Sequence, residues 1–210
     1  MNWVQIPLGP LQTNAYILSN KEKDCVIFDP GSEGDKVNQY IQKEKLNPLA
    51  ILLTHAHFDH IGGVDDVRKK WCIPVYIHEE EKDWLTNPEL NGSTFFLTGG
   101  ITAKPADHLL KGDQTLTIQD FTFSVYETPG HSPGSVSFYH KESQAVFSGD
   151  ALFAGSIGRT DLRGGNHEQL IKSIHEKLLT LPEETIVLSG HGPETSIEKE
   201  MEQNPFLNGF

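Results

Sequence analysis

The 210-residue chain reads as two similar halves, and that repeat constrains its fold more than any other feature. In the first half, Asn14–Ser19 and Cys25–Phe28 are short runs rich in Tyr, Ile, Val and Phe, separated by Asn20-Lys21-Glu22-Lys23-Asp24; they predict a hairpin that ends at Asp29. Val37, Tyr40 and Ile41 recur at helical spacing and predict a helix over Glu33–Lys45, broken at Asn47-Pro48. Leu49–Leu53 is a continuous apolar run of strand length, and His55 follows it. In the second half, Ser135–Tyr139 and Ala145–Ser148 predict a hairpin ending at Asp150. An amphipathic helix over Asn166–Leu179 follows, then a strand over Thr185–Leu188, then His191. Tyr16 to Asp29 and Ser137 to Asp150 are both thirteen positions apart. Two sheet-plus-helix halves of this kind would pack sheet to sheet, with helices outside and the strand-end loops of both halves on one edge, where ligands bind.

The remaining segments predict a helix over Ile61–Trp71, a strand over Pro74–Ile77, a short helix over Glu79–Leu85 and a mostly irregular stretch over Asn87–Leu110. A hairpin of Thr115–Ile118 and Phe121–Thr128, a long loop over Gly149–Gly165 and a last helix over Thr195–Gln203 complete the chain. The longest purely apolar run, Leu49–Leu53, is far short of the roughly 18–20 residues that a membrane span needs. The first twenty residues hold no Lys or Arg and are interrupted by Pro7, Gly9 and Pro10, which is no signal peptide; a cytoplasmic location is expected. A net charge of −12 repels phosphate backbones and anionic lipid heads, so neither a nucleic acid nor a membrane is an expected partner. Two cysteines, Cys25 and Cys72, make no disulfide framework, and Cys25 opens the apolar run Cys25–Phe28 as a buried thiol would.

Thr54-His55-Ala56-His57-Phe58-Asp59-His60 places three His and one Asp within six residues, directly after a buried strand and before a helix. Imidazole is the commonest metal-binding side chain, and a carboxylate completes a nitrogen and oxygen donor set. In an extended backbone His55 and His57 share a face, while Asp59 and His60 can splay across a turn, so one loop can serve two ions. His131 in Pro129–Gly134, Asp150 after Phe147-Ser148-Gly149 and His191 in Ser189–Pro193 also fall at strand ends among small residues. Five His and two Asp are about what two metals sharing one carboxylate require. His78, His108, His140, His167 and His175 stand singly and are read as ordinary surface or core histidines.

Thr54-His55-Ala56-His57-Phe58-Asp59-His60-Ile61-Gly62-Gly63 resembles the signature of the metallo-β-lactamase superfamily, and Pro129-Gly130-His131, Gly149-Asp150 and Gly190-His191 resemble its later motifs in order. Ser148–Phe153 and Gly155–Asp161 look like the glyoxalase II branch. The resemblance implies an α/β (α+β) fold, the four-layer αββα sandwich. It implies two divalent metal ions per chain, zinc first, with iron, manganese or nickel suited to the same donors. One would take His55, His57 and His131, the other Asp59, His60 and His191, with Asp150 bridging and Asp29 supporting the His loop as a neighbouring carboxylate. The implied activity is metal-dependent hydrolysis of a small-molecule thioester such as S-lactoylglutathione. In it Asp59 orients the nucleophile and takes its proton, and Arg159 holds a substrate carboxylate.

Glutathione-using members carry a C-terminal helical domain, whereas only nineteen residues follow His191. The expectation is therefore one domain over residues 1–210, a monomer or homodimer of the compact glyoxalase II-like group, with the thiol carrier open. Those members also have an aromatic where Asp161 stands. Gly158-Arg159-Thr160-Asp161 is similar to a segment of persulfide dioxygenases, which would use one iron in His55, His131 and Asp150. A lactamase or lactonase is the other reading, since metals alone do not choose among esters, amides and thioesters.

Overall fold

A computed structural model describes residues 1–208 and divides them into two compact units, residues 1–110 and 111–208. The first unit holds β1 (Asn2–Leu8), β2 (Thr13–Ser19), β3 (Asp24–Phe28), α1 (Gly34–Glu44), β4 (Asn47–Leu52), α2 (Phe58–Ile61), α3 (Val64–Trp71), β5 (Val75–His78), α4 (Ser93–Phe96) and β6 (His108–Leu110). Its six strands form one sheet in sequence order. The β1/β2 and β2/β3 pairs are antiparallel, and β3/β4, β4/β5 and β5/β6 are parallel. Strands β3 and β4 are buried almost throughout, as a central parallel pair must be. Val37 and Ile41 of α1 and Val64 and Val67 of α3 are buried in the same core cluster as Ile27, Ile51, Val75 and Ile77. That burial gives each helix its apolar stripe a partner.

The predicted single helix over Ile61–Trp71 is two helices. Gly63 donates its amide to Pro30 O (3.0 Å), which pins the chain against the turn after β3 and restarts the helix at Val64. Gly31 lies equally close: a Cβ there would stand 2.2 Å from Asp59 O, so only glycine lets the turn after β3 pass under the Asp59 backbone. The predicted helix over Glu79–Leu85 is a 3-10 turn over Glu79–Glu81.

The second unit holds β7 (Gln114–Ile118), β8 (Phe121–Glu127), β9 (Val136–His140), β10 (Ala145–Gly149), β11 (Leu152–Phe153), β12 (Ser156–Ile157), α5 (His167–Ser173), β13 (Ile186–Ser189), β14 (Thr195–Ser196) and α6 (Ile197–Gln203). Its main sheet runs β14-β13-β10-β9-β8-β7, with β10/β13 parallel and its other pairs antiparallel. The predicted long loop over Gly149–Gly165 contains the small β11–β12 hairpin. Asn166 caps α5 by accepting from Gln169 N (3.0 Å), and the helix runs on into a π-helical turn, Ile174–Leu178. Leu170, Ile174, Leu178, Val146, Val187 and Ile197 form its core cluster.

Each unit contains a hairpin followed by a helical crossover to a parallel strand: β2-β3-α1-β4 in one and β9-β10-α5-β13 in the other. The repeat read from the sequence is therefore present in the topology. No helix among the described residues is long and apolar enough to cross a membrane. Cys25 is buried, and burial first, with Asp24 second, pushes its thiol up to about 12, whereas Cys72 is exposed. Alkylation of the native protein is expected to add one adduct, at Cys72, and a second only in denaturant. Mass spectrometry of the two samples checks this.

Candidate metal centre

In the first unit the candidate residues sit at the carboxyl ends of parallel strands, the edge where open α/β sheets bind ligands. Asp29 follows β3 and His55 follows β4. Past the end of β4, among the described residues, no strand pairs with residues 54–57; the chain bends at Thr54 and is extended at His57 (φ −63°, ψ 147°). Three acceptors do the work of a neighbouring strand. Thr54 N donates to Asp29 Oδ1 (2.8 Å), Ala56 N to Glu81 Oε2 (2.5 Å) and Phe58 N to Asn91 O (3.1 Å). Helix α2 then turns the chain, with His60 N bonded to His57 O (3.0 Å), and brings Asp59 and His60 around.

The four candidate side chains of this loop converge. The His55 ring lies 4.8 Å from that of His57, edge to face, and 4.1 Å from that of His60. Ligand atoms of His55 and His57, of His55 and His60, and of Asp59 and His60 come within 4.8 Å of each other. His55 thus stands between the other two imidazoles, where the sequence suggested a cleaner split into His55–His57 and Asp59–His60. Asp59 Oδ2 accepts from Thr13 Oγ1 (2.7 Å) and lies 3.6 Å from His60 Nε2.

Asp29 organises the ring tautomers. Its Oδ2 accepts from Thr54 Oγ1 (2.6 Å) and from His60 Nδ1 (3.0 Å). A carboxylate only accepts, so His60 carries its proton on Nδ1. The Thr54 hydroxyl proton is spent on Asp29, so Thr54 Oγ1 accepts from His55 Nδ1 (3.1 Å). Both rings therefore present the Nε2 lone pair.

In the second unit Asp150 follows β10 and His191 follows β13, again at the ends of parallel neighbours. The β8–β9 turn carrying His131 lies at the same edge, because β8 runs in the direction of β10. His131 Nδ1 donates to Arg159 O (2.8 Å), a carbonyl that can only accept, so this ring also turns its Nε2 lone pair outward. Asp150 Oδ2 lies 3.6 Å from His131 Nε2 and 3.6 Å from His191 Nε2. The turn is held from behind by Ser173 Oγ on Pro129 O (2.7 Å) and Asn166 N on Gly130 O (2.8 Å). At Gly158 a Cβ would stand 1.8 Å from Asp150 O, so this glycine allows the chain just after β12 to pass under Asp150.

Buried imidazoles whose Nδ1 is hydrogen-bonded, as at His55, His60 and His131, beside the carboxylates of Asp59 and Asp150, are a donor set that suits a divalent cation, and the residues present fit a metal. Among the described residues, no metal-ligand cluster includes His78, His108, His140, His167 or His175. His78 caps the 3-10 turn, His108 stacks on Tyr76 (4.4 Å), and His140 is buried beside Ser143, burial lowering its pKa.

Arg159 is committed: Nε and Nη2 each bond a different oxygen of Asp161 (2.7 and 2.7 Å), which holds Asp161 down at about 2. Three features of the site carried no sequence signal. Glu81 sits in a run that reads as surface charge, Thr13 sits in an ordinary strand, and Phe58 stacks on the exposed Phe96 (5.5 Å) beside the loop.

Comparison with known proteins is decisive at the level of family. Residues 8–191 match the family model described as the metallo-β-lactamase superfamily. The chain belongs to the metallo-β-lactamase superfamily. It is similar to the probable metallo-hydrolase YqgX of Bacillus subtilis (strain 168), 62% identical over 100% of this chain and 99% of that one. It is also similar to the hydroxyacylglutathione hydrolase GloC of Haemophilus influenzae, 35% identical over 99% of both. Among solved structures it superposes on BLEG-1 B3 metallo-β-lactamase with a TM-score of 0.97 and 60% identity, covering 99% and 100% of the two chains. TTHA1623 in a di-iron-bound form gives 0.86 and 42%, covering 97% and 100%. The mixed α/β fold is thus that of the superfamily, and the protein is a metallo-hydrolase of it. The superfamily binds a dinuclear metal site, to which the His/Asp clusters correspond in kind, and the di-iron form of TTHA1623 leaves metal identity open within it.

Proposed function

We propose that the two clusters together hold two divalent cations and that the protein hydrolyses thioesters of a low-molecular-weight thiol. His55, His57 and His131 take one ion and Asp59, His60 and His191 the other, with Asp150 between them. The observation that carries this reading is Asp150 Oδ2, 3.6 Å from two Nε2 atoms that arrive on separate loops. Bound there, the metal pair would supply Lewis acidity and a water whose pKa falls from 15.7 to about 7. Thr13 fixes Asp59 by donating to its Oδ2, so that this carboxylate would be placed to orient a nucleophilic water and take up a proton. A thiol of pKa about 8.5 leaves without a strong general acid, which suits a site built of imidazoles and carboxylates.

Support for the thioester comes from the end-to-end similarity to GloC. The similarity to BLEG-1, described as a B3 metallo-β-lactamase, favours a β-lactam as the second reading. Metal analysis of the protein as isolated, with a panel of S-lactoylglutathione, thioesters of other small thiols, lactones, a β-lactam and a persulfide, decides between them. Thioester cleavage with two metals per chain is expected. β-Lactam turnover without thioester turnover overturns the proposal, and so does oxygen consumption with the persulfide alone.

Arg159 is the proposed contact for a substrate carboxylate, and it must be shared with Asp161. Arg159→Ala is expected to raise KM for carboxylate-bearing thioesters several-fold, and Asp161→Ala to lower it, because an exposed, solvent-screened ion pair is weak and yields to a better-placed anion. The folded pKa of Asp161 is depressed, so the pair is fully formed above the ordinary carboxylate value and is lost only as pH falls through about 2. The two KM effects are therefore expected to be flat between about pH 5 and 9, as steady-state kinetics across that range would show.

A further inference from the structure

Glu81 has a wholly buried carboxyl group, on a 3-10 turn that follows β5, and belongs to none of the candidate ligand sets among the described residues. Its Oε2 takes the amide of Ala56, the residue between His55 and His57, at 2.5 Å. A buried carboxylate is costly to desolvate and keeps its charge only where donors meet it, and a short charge-assisted bond to a backbone amide is one of the strongest such contacts. The same turn runs on through Trp84, whose amide bonds Glu81 O (3.0 Å) and whose ring lies 5.6 Å from that of His57. One block of chain therefore backs the His loop twice, through the amide before His57 and through the ring of His57. Asp29 grips the loop at Thr54 and Asn91 at Phe58, so the Glu81 bond holds the backbone of the loop at its middle, between the two histidines.

We infer that Glu81 is a positioning residue for the metal loop: it fixes the backbone between His55 and His57 so that both imidazoles are set before any metal arrives. This rests on the metal-binding reading above. What matters is the placement of the Glu81 oxygen rather than the kind of group that carries it. Glu81→Gln keeps an acceptor at the same reach. Glu81→Asp keeps the carboxyl group but withdraws its oxygen by one methylene, and Glu81→Ala removes both.

The test is zinc and cobalt titration of the metal-free protein, with the cobalt absorption spectrum and amide exchange at Ala56. Wild type and Glu81→Gln should bind within about threefold of each other. Glu81→Asp and Glu81→Ala should lose 10–100-fold in affinity, the range seen when partners of ligating side chains are removed. They should also show an altered cobalt spectrum and faster exchange at Ala56. If Glu81→Ala fails to fold, the Asp and Gln variants carry the same comparison. Wild-type affinity and spectrum in Glu81→Asp, or a loss in Glu81→Gln as large as in Glu81→Asp, overturns the inference. A wild-type protein that binds no metal overturns the metal reading instead, and exchange at Ala56 then still reports whether Glu81 holds the loop.

Discussion

Asp150→Ala is expected to leave less than one metal per chain and to abolish hydrolysis, a larger loss than any single His→Ala change at the site. One oxygen of Asp150 stands 3.6 Å from the Nε2 atoms of both His131 and His191, so a single carboxylate serves the ligands of both proposed ions. Two divalent cations about 3.5–4 Å apart repel by roughly 18 kcal/mol at an effective dielectric of 20. A bridging anion offsets that repulsion, whereas a lost imidazole removes one neutral donor from one ion and leaves the bridge in place. Metal content by elemental analysis and thioester turnover are the measurements. Two retained metals with near-normal turnover would show that Asp150 does not bridge.

The candidate ligands were legible because metal chemistry restricts residue type and the fold restricts position: each followed a strand whose apolar run was itself readable. What surrounds them was not. Glu81 lies in Glu79-Glu80-Glu81-Lys82, a run indistinguishable from a solvated surface until β5 and the 3-10 turn aim one of its carboxylates inward. Asp29 was expected to support the His loop, but its control of two ring tautomers depends on Thr54, whose hydroxyl direction no spacing rule gives.

Strand β1 was missed for a related reason. Pro7, Gly9 and Pro10 look like breakers, yet β1 is an edge strand, where a residue without an amide hydrogen is tolerated. The β11–β12 hairpin was missed because two-residue strands are too short to show a period. The helix over Ile61–Trp71 was divided by a long-range bond, Gly63 N to Pro30 O, that local propensity does not contain. The two-half organisation was legible because it rests on patterns longer than any of these.

Asp29→Asn is expected to weaken metal binding by at least about 10–100-fold while the protein still folds. Asp29 has a left-handed backbone (φ 44°), which asparagine tolerates and alanine does not, so the amide is the informative replacement. The native carboxylate accepts three bonds: from Thr54 N, from Thr54 Oγ1 and from His60 Nδ1. An amide has one acceptor oxygen and a nitrogen that only donates. If the oxygen stays toward Thr54 Oγ1 and His60, the new amide nitrogen opposes the Thr54 N–H. If it turns toward Thr54 N, the nitrogen opposes His60 Nδ1–H, and that ring is relieved only by moving its proton to Nε2. In the turned form Thr54 Oγ1 accepts instead of donating to position 29, and its proton is free to go to His55 Nδ1, shifting that ring too.

In the turned form one substitution thus withdraws the lone pairs of one or two ligands without touching a ligand. The leftover mismatch costs about 1–3 kcal/mol of stability, against about 3–5 kcal/mol for Asp29→Ala, which strands three buried donors. Nitrogen-15 shifts of the imidazoles in the metal-free protein report the tautomers directly. Zinc titration reports the affinity, and denaturant melts report the stability. An Asp29→Asn protein with Nδ1–H at both His55 and His60 and wild-type zinc affinity would show that the carboxylate supports the fold and leaves the metal site alone.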